Sequence, residues 1–311
     1  MSIKVEKIKK ISSKRVKEYI FCYGMLAYPL ILFAVFYLYV NLNSFIMAFQ
    51  KINLDGSRQW LGLENFSVFI GQLVKSKGLV FISLINSLKM YIINLLICMP
   101  LYILFSYVIF KRFKGMAIVR VIIMLPAIIS SFVFCLVFKI FAGQPLQQIM
   151  VDAGFADFPN LLSDPDYMFG ATLFYMIWVS FSTSLIVYPN AMNSIDPAVI
   201  ESSKIDGVRN LWQELRYIVL PLIFPTISTF LITGFATILS NSGPILAFYR
   251  YEANPRVYNM GYYMLVQIMT ASNESEYPMI AAGGVLITMI VAPLTMLLKK
   301  FLDRVSPVTD A

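Results

Sequence analysis

The chain of 311 residues contains no histidine, three cysteines and only 14% charged residues, against about a quarter in soluble domains. Without histidine it lacks the commonest general base and metal ligand. Cys22, Cys98 and Cys135 all sit in apolar runs with no pair spacing, which favours buried thiols over a disulfide or a metal site. No glycine-rich loop ends in Gly-Lys-Ser/Thr, so nothing here is built to cradle ATP. Asp152, Asp157, Asp164 and Asp166 are scattered through a proline-broken stretch and read as a solvated loop. No unpaired charge falls at the centre of an apolar run, as an ion-coupled carrier often requires. Lys89 comes nearest, but it borders an uncharged run and can snorkel to the headgroups. These absences argue against an enzyme, and they require any transport to be energised by another protein.

What the chain has is apolar length. Hydrophobic residues make up 59% of it and the mean hydropathy is +0.73. Uncharged runs cover 19–50, 90–110, 121–138, 168–188, 217–239 and 279–298, each long enough to cross a hydrocarbon core at about 1.5 Å per residue. The first is too long for one upright span and too short for two. It reads as one tilted helix extending past the membrane, with Pro29 as its candidate kink. The expectation is an all-α integral membrane protein with six transmembrane helices: a basic arm (1–18), a membrane domain (19–302) interrupted by a charged loop (190–216), and a tail (303–311). The long basic start and the long run behind it do not suit a cleavable signal peptide. Ile3, Ile8 and Ile11 allow the arm to lie on an anionic leaflet, or it is a basic tail that only sets topology.

The distribution of Lys and Arg gives an orientation. Seven lie in the arm, four at Lys111, Arg112, Lys114 and Arg120, three in the charged loop, and three at Lys299, Lys300 and Arg304. The opposite side holds six: Lys51, Arg58, Lys75, Lys77, Arg250 and Arg256. The positive-inside rule then places both termini and the loop in the cytoplasm. The net charge of +8 is a consequence of topology and calls for no nucleic acid.

Within the loop, "IESSKIDGVRNLWQELRYIVLP" (200–221) packs Glu201, Lys204, Asp206, Arg209, Glu214 and Arg216 into sixteen positions. Asp196-Pro197 suits a helix start, Gly207 suits a left-handed stop, and Asn210 with Gln213 resembles a capping box opening a second helix. The spacing predicts helix, turn, helix. Residue physics alone leaves two roles open, a membrane-lying linker or a docking element.

Three groups of residues resemble a known family. Glu201-Ser202-Ser203, Ile205-Asp206-Gly207 and Ile218-Val219-Leu220-Pro221 are similar to the EAA loop of ABC importer membrane subunits. "WLGLENF" (60–66), "NSL" (86–88) and "FKGMAIVRVIIMLPAIIS" (113–130) are similar to the carbohydrate-uptake class of those subunits, the maltose and multiple-sugar type. The resemblance implies a type I ABC importer permease fold in a bacterial cell membrane. It implies a coupling helix in which Glu201, Ser202, Ser203, Lys204, Asp206, Gly207 and Val208 meet a separate ATPase. The implied partners are a second, homologous permease forming a heterodimer, two ATPase subunits that bring ATP and Mg, and an extracytoplasmic sugar-binding protein. This chain itself is implied to bind no cofactor. Ten residues separate Gly207 from Ile218 where the family usually has nine, and one extra residue rotates the downstream part of a helix by about 100°.

Hydroxyls are concentrated beside the loop. Thr229, Thr233, Thr237 and Asn241 recur every four residues, and Ser180, Thr183 and Ser184 lie near Trp178 and Tyr188. Such faces either pack helices together or offer hydrogen bonds and ring faces to a neutral sugar. With the resemblance, the substrate path is expected at Ser180, Thr183, Ser184, Thr233, Thr237 and Asn241. Pro126, Pro221 and Pro225 are candidate bends. The stretches 143–167 and 241–278 are long enough to meet an external protein. The alternatives to a sugar importer are a secondary transporter or channel, or an ABC permease for another solute.

Overall fold

A computed structural model describes residues 13–76, 78–113, 115, 118, 121–122 and 129–306. Ile3, Ile8, Ile11, the first four lysines, Lys77, Lys114, Arg120, Pro126 and residues 307–311 lie outside them. Among the described residues, six helices are long and apolar enough to cross a membrane: Tyr19–Met47, Leu79–Phe110, Ser131–Asp152, Met168–Asn193, Leu211–Ala236 and Glu274–Val305. They are called the first to sixth spans.

Their bounds depart from the uncharged runs for physical reasons. The second span begins eleven residues before the run at Met90 and passes through exposed Lys89, because one charged side chain that can reach solvent does not interrupt backbone hydrogen bonding. The fourth span continues through Pro189 to Asn193. The third is described from Ser131, with a break at Gly143 (ψ −126°) before Gln144–Asp152; most of the run expected to precede it falls outside the described residues. The fifth starts at Leu211, since the second helix of the charged loop continues into it. The first span ends at Met47, and the next residues form a small antiparallel hairpin, Gln50–Ile52 with Arg58–Trp60. The hairpin is an exception to the all-α expectation. Phe49 stacks on Trp60 across it at 5.6 Å between ring centres.

Packing divides into three main cores. At the hairpin end, Phe69, Val80 and Met168 close around Ile245, Val257, Tyr258, Met260, Tyr262, Tyr263 and Val266. The stretch 241–278 is therefore a folded cap rather than a free loop. It contains the helices Ile245–Tyr249 and Met260–Thr270. Polar contacts fasten it to the second span. The Asn86 amide donates to the carbonyls of Arg256 and Tyr258, both at 2.9 Å, and the Met260 N–H donates to the Ser87 hydroxyl at 2.9 Å. Burial pushes the Tyr262 phenol up to about 12, so it stays protonated and donates to the carbonyl of Arg250, whose φ is +53°. At the loop end, Cys98, Tyr102, Ile103, Tyr107, Tyr188, Met192, Leu215, Val219, Ile223 and Ile227 bind the second, fourth and fifth spans together. A third cluster joins Cys135, Phe138 and Ala142 to Tyr175 and Phe248. No residue in the most apolar window of the first span is buried.

The cap approaches the end of the fifth span closely. A Cβ placed on Gly261 would lie 2.5 Å from the Asn241 carbonyl carbon and 2.6 Å from the Ser240 oxygen, both backbone atoms that cannot turn away. Gly261→Ala is expected to cost about 1–3 kcal/mol, seen as a lower thermal midpoint of the protein in detergent. Gly284→Ala, with open space around it, should leave that midpoint unchanged.

Candidate functional site

The charged loop folds as helix, turn, helix. Asp196 caps the first helix, Pro197–Ile205, through an Oδ1 that accepts from the Ala198 N–H at 2.9 Å. The helix ends on Gly207 at φ +100°. There the Val208 N–H donates to the Ser203 carbonyl at 3.0 Å and the Gly207 N–H to that of Lys204 at 3.3 Å, the paired bonds of a Schellman turn. Asn210 then caps the next helix, accepting from the Gln213 N–H at 2.8 Å. The Gln213 side chain accepts from the N–H of Arg209 at 2.9 Å, one residue earlier than a standard capping box. Both ends of the turn are thus tied down by local bonds.

Of the loop residues expected to dock a partner, Glu201, Ser202, Lys204, Asp206 and Gly207 are exposed and Val208 is half-buried. Ser203 is buried and spends its hydroxyl on the Ile200 carbonyl at 2.8 Å, so it contributes packing rather than a contact surface. Ile205 is absent from the set implied by resemblance, yet it is 87% exposed. Trp212 and Leu211 also stand out of the surface. An isoleucine amid serines and charges on a nine-residue helix was the available signal. The extra residue after Gly207 is followed by a π turn at Leu215–Val219, which is wide enough to take up one residue. A π turn closes i to i+5 and takes up one residue more than an α turn.

The second part of the site is a cavity of about 430 Å³ between the hairpin-end and loop-end cores. It brings together Ser180, Thr183 and Ser184 from the fourth span with Thr233 of the fifth and with Thr237 and Asn241 just beyond its end. All six residues expected on a substrate path therefore line one space. Thr229 does not line it, and Trp178 turns to the third span, edge-on to Phe134 at 5.0 Å. Sequence reading missed the contribution of the second span. Tyr91, Asn94 and Tyr102 line the same cavity, and their spacing of three and eleven places them on one helix face. The Tyr102 hydroxyl lies among Asn94, Ser180 and the Ile177 carbonyl.

The hydroxyls are polarised by their backbone bonds. Thr229 donates to the Pro225 carbonyl at 2.9 Å, Thr233 to Thr229 at 2.6 Å, and Thr237 to Thr233 at 3.0 Å. Each committed proton leaves oxygen lone pairs available, so Thr233 and Thr237 offer acceptors to the cavity. Asn241 is the reverse. Its Oδ1 accepts from the Gly243 N–H at 2.8 Å, leaving the NH₂ group to donate. Among the described residues, no Asp, Glu, Lys or Arg lines the cavity. Among the described residues, no cluster of three or more metal-ligating side chains occurs.

A family model described as "binding-protein-dependent transport system inner membrane component" matches residues 67–309. The chain belongs to that family. It is similar to the maltose/maltodextrin transport system permease protein MalF of Vibrio vulnificus (strain YJ016), at 30% identity over 141 residues. That match covers 45% of this chain and 27% of MalF, so the chain spans well under half of that relative. It is also similar to the polygalacturonan/rhamnogalacturonan transport system permease protein YteP of Bacillus subtilis (strain 168). There the identity is 26% over 244 residues, covering 74% of this chain and 71% of YteP. Among solved structures, a chain of a bacterial ABC transporter involved in the import of the acidic polysaccharide alginate has the same fold. The TM-score is 0.76 at 23% identity, over 94% of this chain and 98% of that one.

The turn at Gly207 gives a local test. Gly207→Ala adds no clash but costs about 1–2 kcal/mol for a left-handed residue with a Cβ. Hydrogen exchange at the amides of 207 and 208 should quicken by about tenfold, with membrane yield unaltered.

Proposed function

We propose that the chain is a transmembrane permease subunit of an ATP-driven sugar importer. The observation that carries this reading is one continuous element, Leu211–Ala236. One end bears the capped helix with exposed Glu201 and Ile205, and the other walls an uncharged, hydroxyl-lined cavity. The family and the permease names of the relatives support it. The basic residues place the loop and both termini in the cytoplasm, where a separate ATPase with ATP and Mg is available. The full assembly is a heterodimer with a second permease, two ATPase copies and an extracytoplasmic sugar-binding protein, all set in lipid.

In this reading Glu201, Ser202, Lys204, Asp206, Gly207 and Val208 form the seat of the ATPase, with Ile205 as its apolar centre. Closure of the ATPase pair moves the loop as a rigid body. The fifth span, continuous with it, changes the wall of the cavity, which exchanges access from one side to the other. Energy enters only through the differing affinity of the ATPase for the two states. In the cavity, sugar hydroxyls donate to Thr233 and Thr237 and accept from Asn241, while Tyr91 supplies a ring face. The absence of lining cations suits a neutral oligosaccharide over an acidic one.

The transporter reconstituted in liposomes with its partners tests both ends. Asn241→Ala and Thr233→Val should each lower uptake by about tenfold, the loss of one well-placed hydrogen bond of about 1.4 kcal/mol, with the ATPase still bound. Glu201→Lys should leave ATP hydrolysis running while uptake falls. Sugar uptake by the purified chain alone under an ion gradient would refute the ATP-driven reading.

A further inference from the structure

One charge of the loop is turned inward. Glu201, Lys204, Asp206, Arg209 and Arg216 are exposed, but Glu214 is 4% exposed. Its carboxylate pairs with the ammonium of Lys111, the first residue after the second span. The ammonium also lies 5.7 Å from the ring centre of Tyr107 and 5.9 Å from that of Phe110. The Tyr107 hydroxyl is buried beside the same carboxylate. No feature of the cavity or of the exposed loop face requires this pair.

Its position is informative. Glu214 immediately precedes the π turn Leu215–Val219 at the start of the fifth span. Nine residues back along the second span from Lys111, roughly 13 Å of helix, is Tyr102 of the cavity wall. Asn94 comes next in a second π turn, Asn94–Cys98, and Tyr91 lies just beyond it. The apolar contacts between these spans are non-directional. The pair of buried Glu214 with half-buried Lys111 is directional, and separating it leaves a desolvated carboxylate without a partner.

We propose that the Lys111–Glu214 pair is a strut that carries displacement of the charged loop into the second span, and so to Tyr102, Asn94 and Tyr91 in the cavity. Glu214 and Lys111 are positioning residues: they touch neither the ATPase nor the sugar, and they act through the second span. The proposal rests on the transport reading. It adds that the second span is driven directly by the loop, alongside the continuous fifth span.

The test uses the whole transporter in proteoliposomes and reads sugar taken up per ATP hydrolysed. Glu214→Gln and Lys111→Met should each lower that ratio by about tenfold, with the ATPase still co-purifying. The double charge swap, Lys111→Glu with Glu214→Lys, should recover most of the lost ratio. Single variants with an unchanged ratio would overturn the strut. So would single variants in which uptake and ATP hydrolysis fall together with the amount of assembled complex at an unchanged ratio, which is the result a purely structural pair would give. If Glu214→Gln and Lys111→Met fail to assemble, the milder Glu214→Asp and Lys111→Arg decide on the same ratio. Failure of the unmodified complex to take up sugar with ATP would overturn the transport reading and the strut with it. Normal ATP-driven uptake with unaffected variants would overturn the strut alone.

Discussion

Inside a bilayer a polar group has no water to fall back on, so every one must find its partner in the protein. Most of this structure obeys that constraint. It makes the spans helical, and it explains why Thr229, Thr233 and Thr237 give their protons to their own backbone. It makes the Asn86 amide bridge two carbonyls of a segment about 170 residues away in the chain, and it forces Glu214 against Lys111. The hydroxyls that line the cavity keep lone pairs that a ligand can satisfy, whereas the buried hydroxyls of Ser106 and Ser228 lie away from it.

Number and order of spans are legible because charge is scarce and its gaps are long. Span ends are not, because Lys89 and Pro189 look like boundaries in a string of letters but are tolerated by a helix whose neighbours compensate. The loop is legible almost residue by residue. Asp196, Gly207, Asn210 and Gln213 act within a few residues of themselves, so their chemistry is written locally. The cap over 241–278 looks like open loop in the sequence, since its helices are short. What folds it, the contacts of Asn86 and Ser87, depends on pairing across most of the chain.

The candidate site shows the same division. Hydroxyls on the fourth and fifth spans are conspicuous against aliphatic neighbours, and they do meet. Tyr91, Asn94 and Tyr102 obey an equally regular spacing, but tyrosine and asparagine in an apolar run are ordinary at helix interfaces, so periodicity alone cannot separate lining from packing. Trp178 shows the opposite error, since nearness in sequence to Ser180 suggests a place beside the hydroxyls that its helix turns away from.

The π turn at Leu215–Val219 has a consequence for comparing relatives. A helix that stores a surplus residue in one wide turn can gain or lose a residue there while both flanks keep their faces. One residue gained or lost there can be taken up by opening or closing that turn, while the capped helix Pro197–Ile205 and the helix Leu220–Ala236 keep their own geometry.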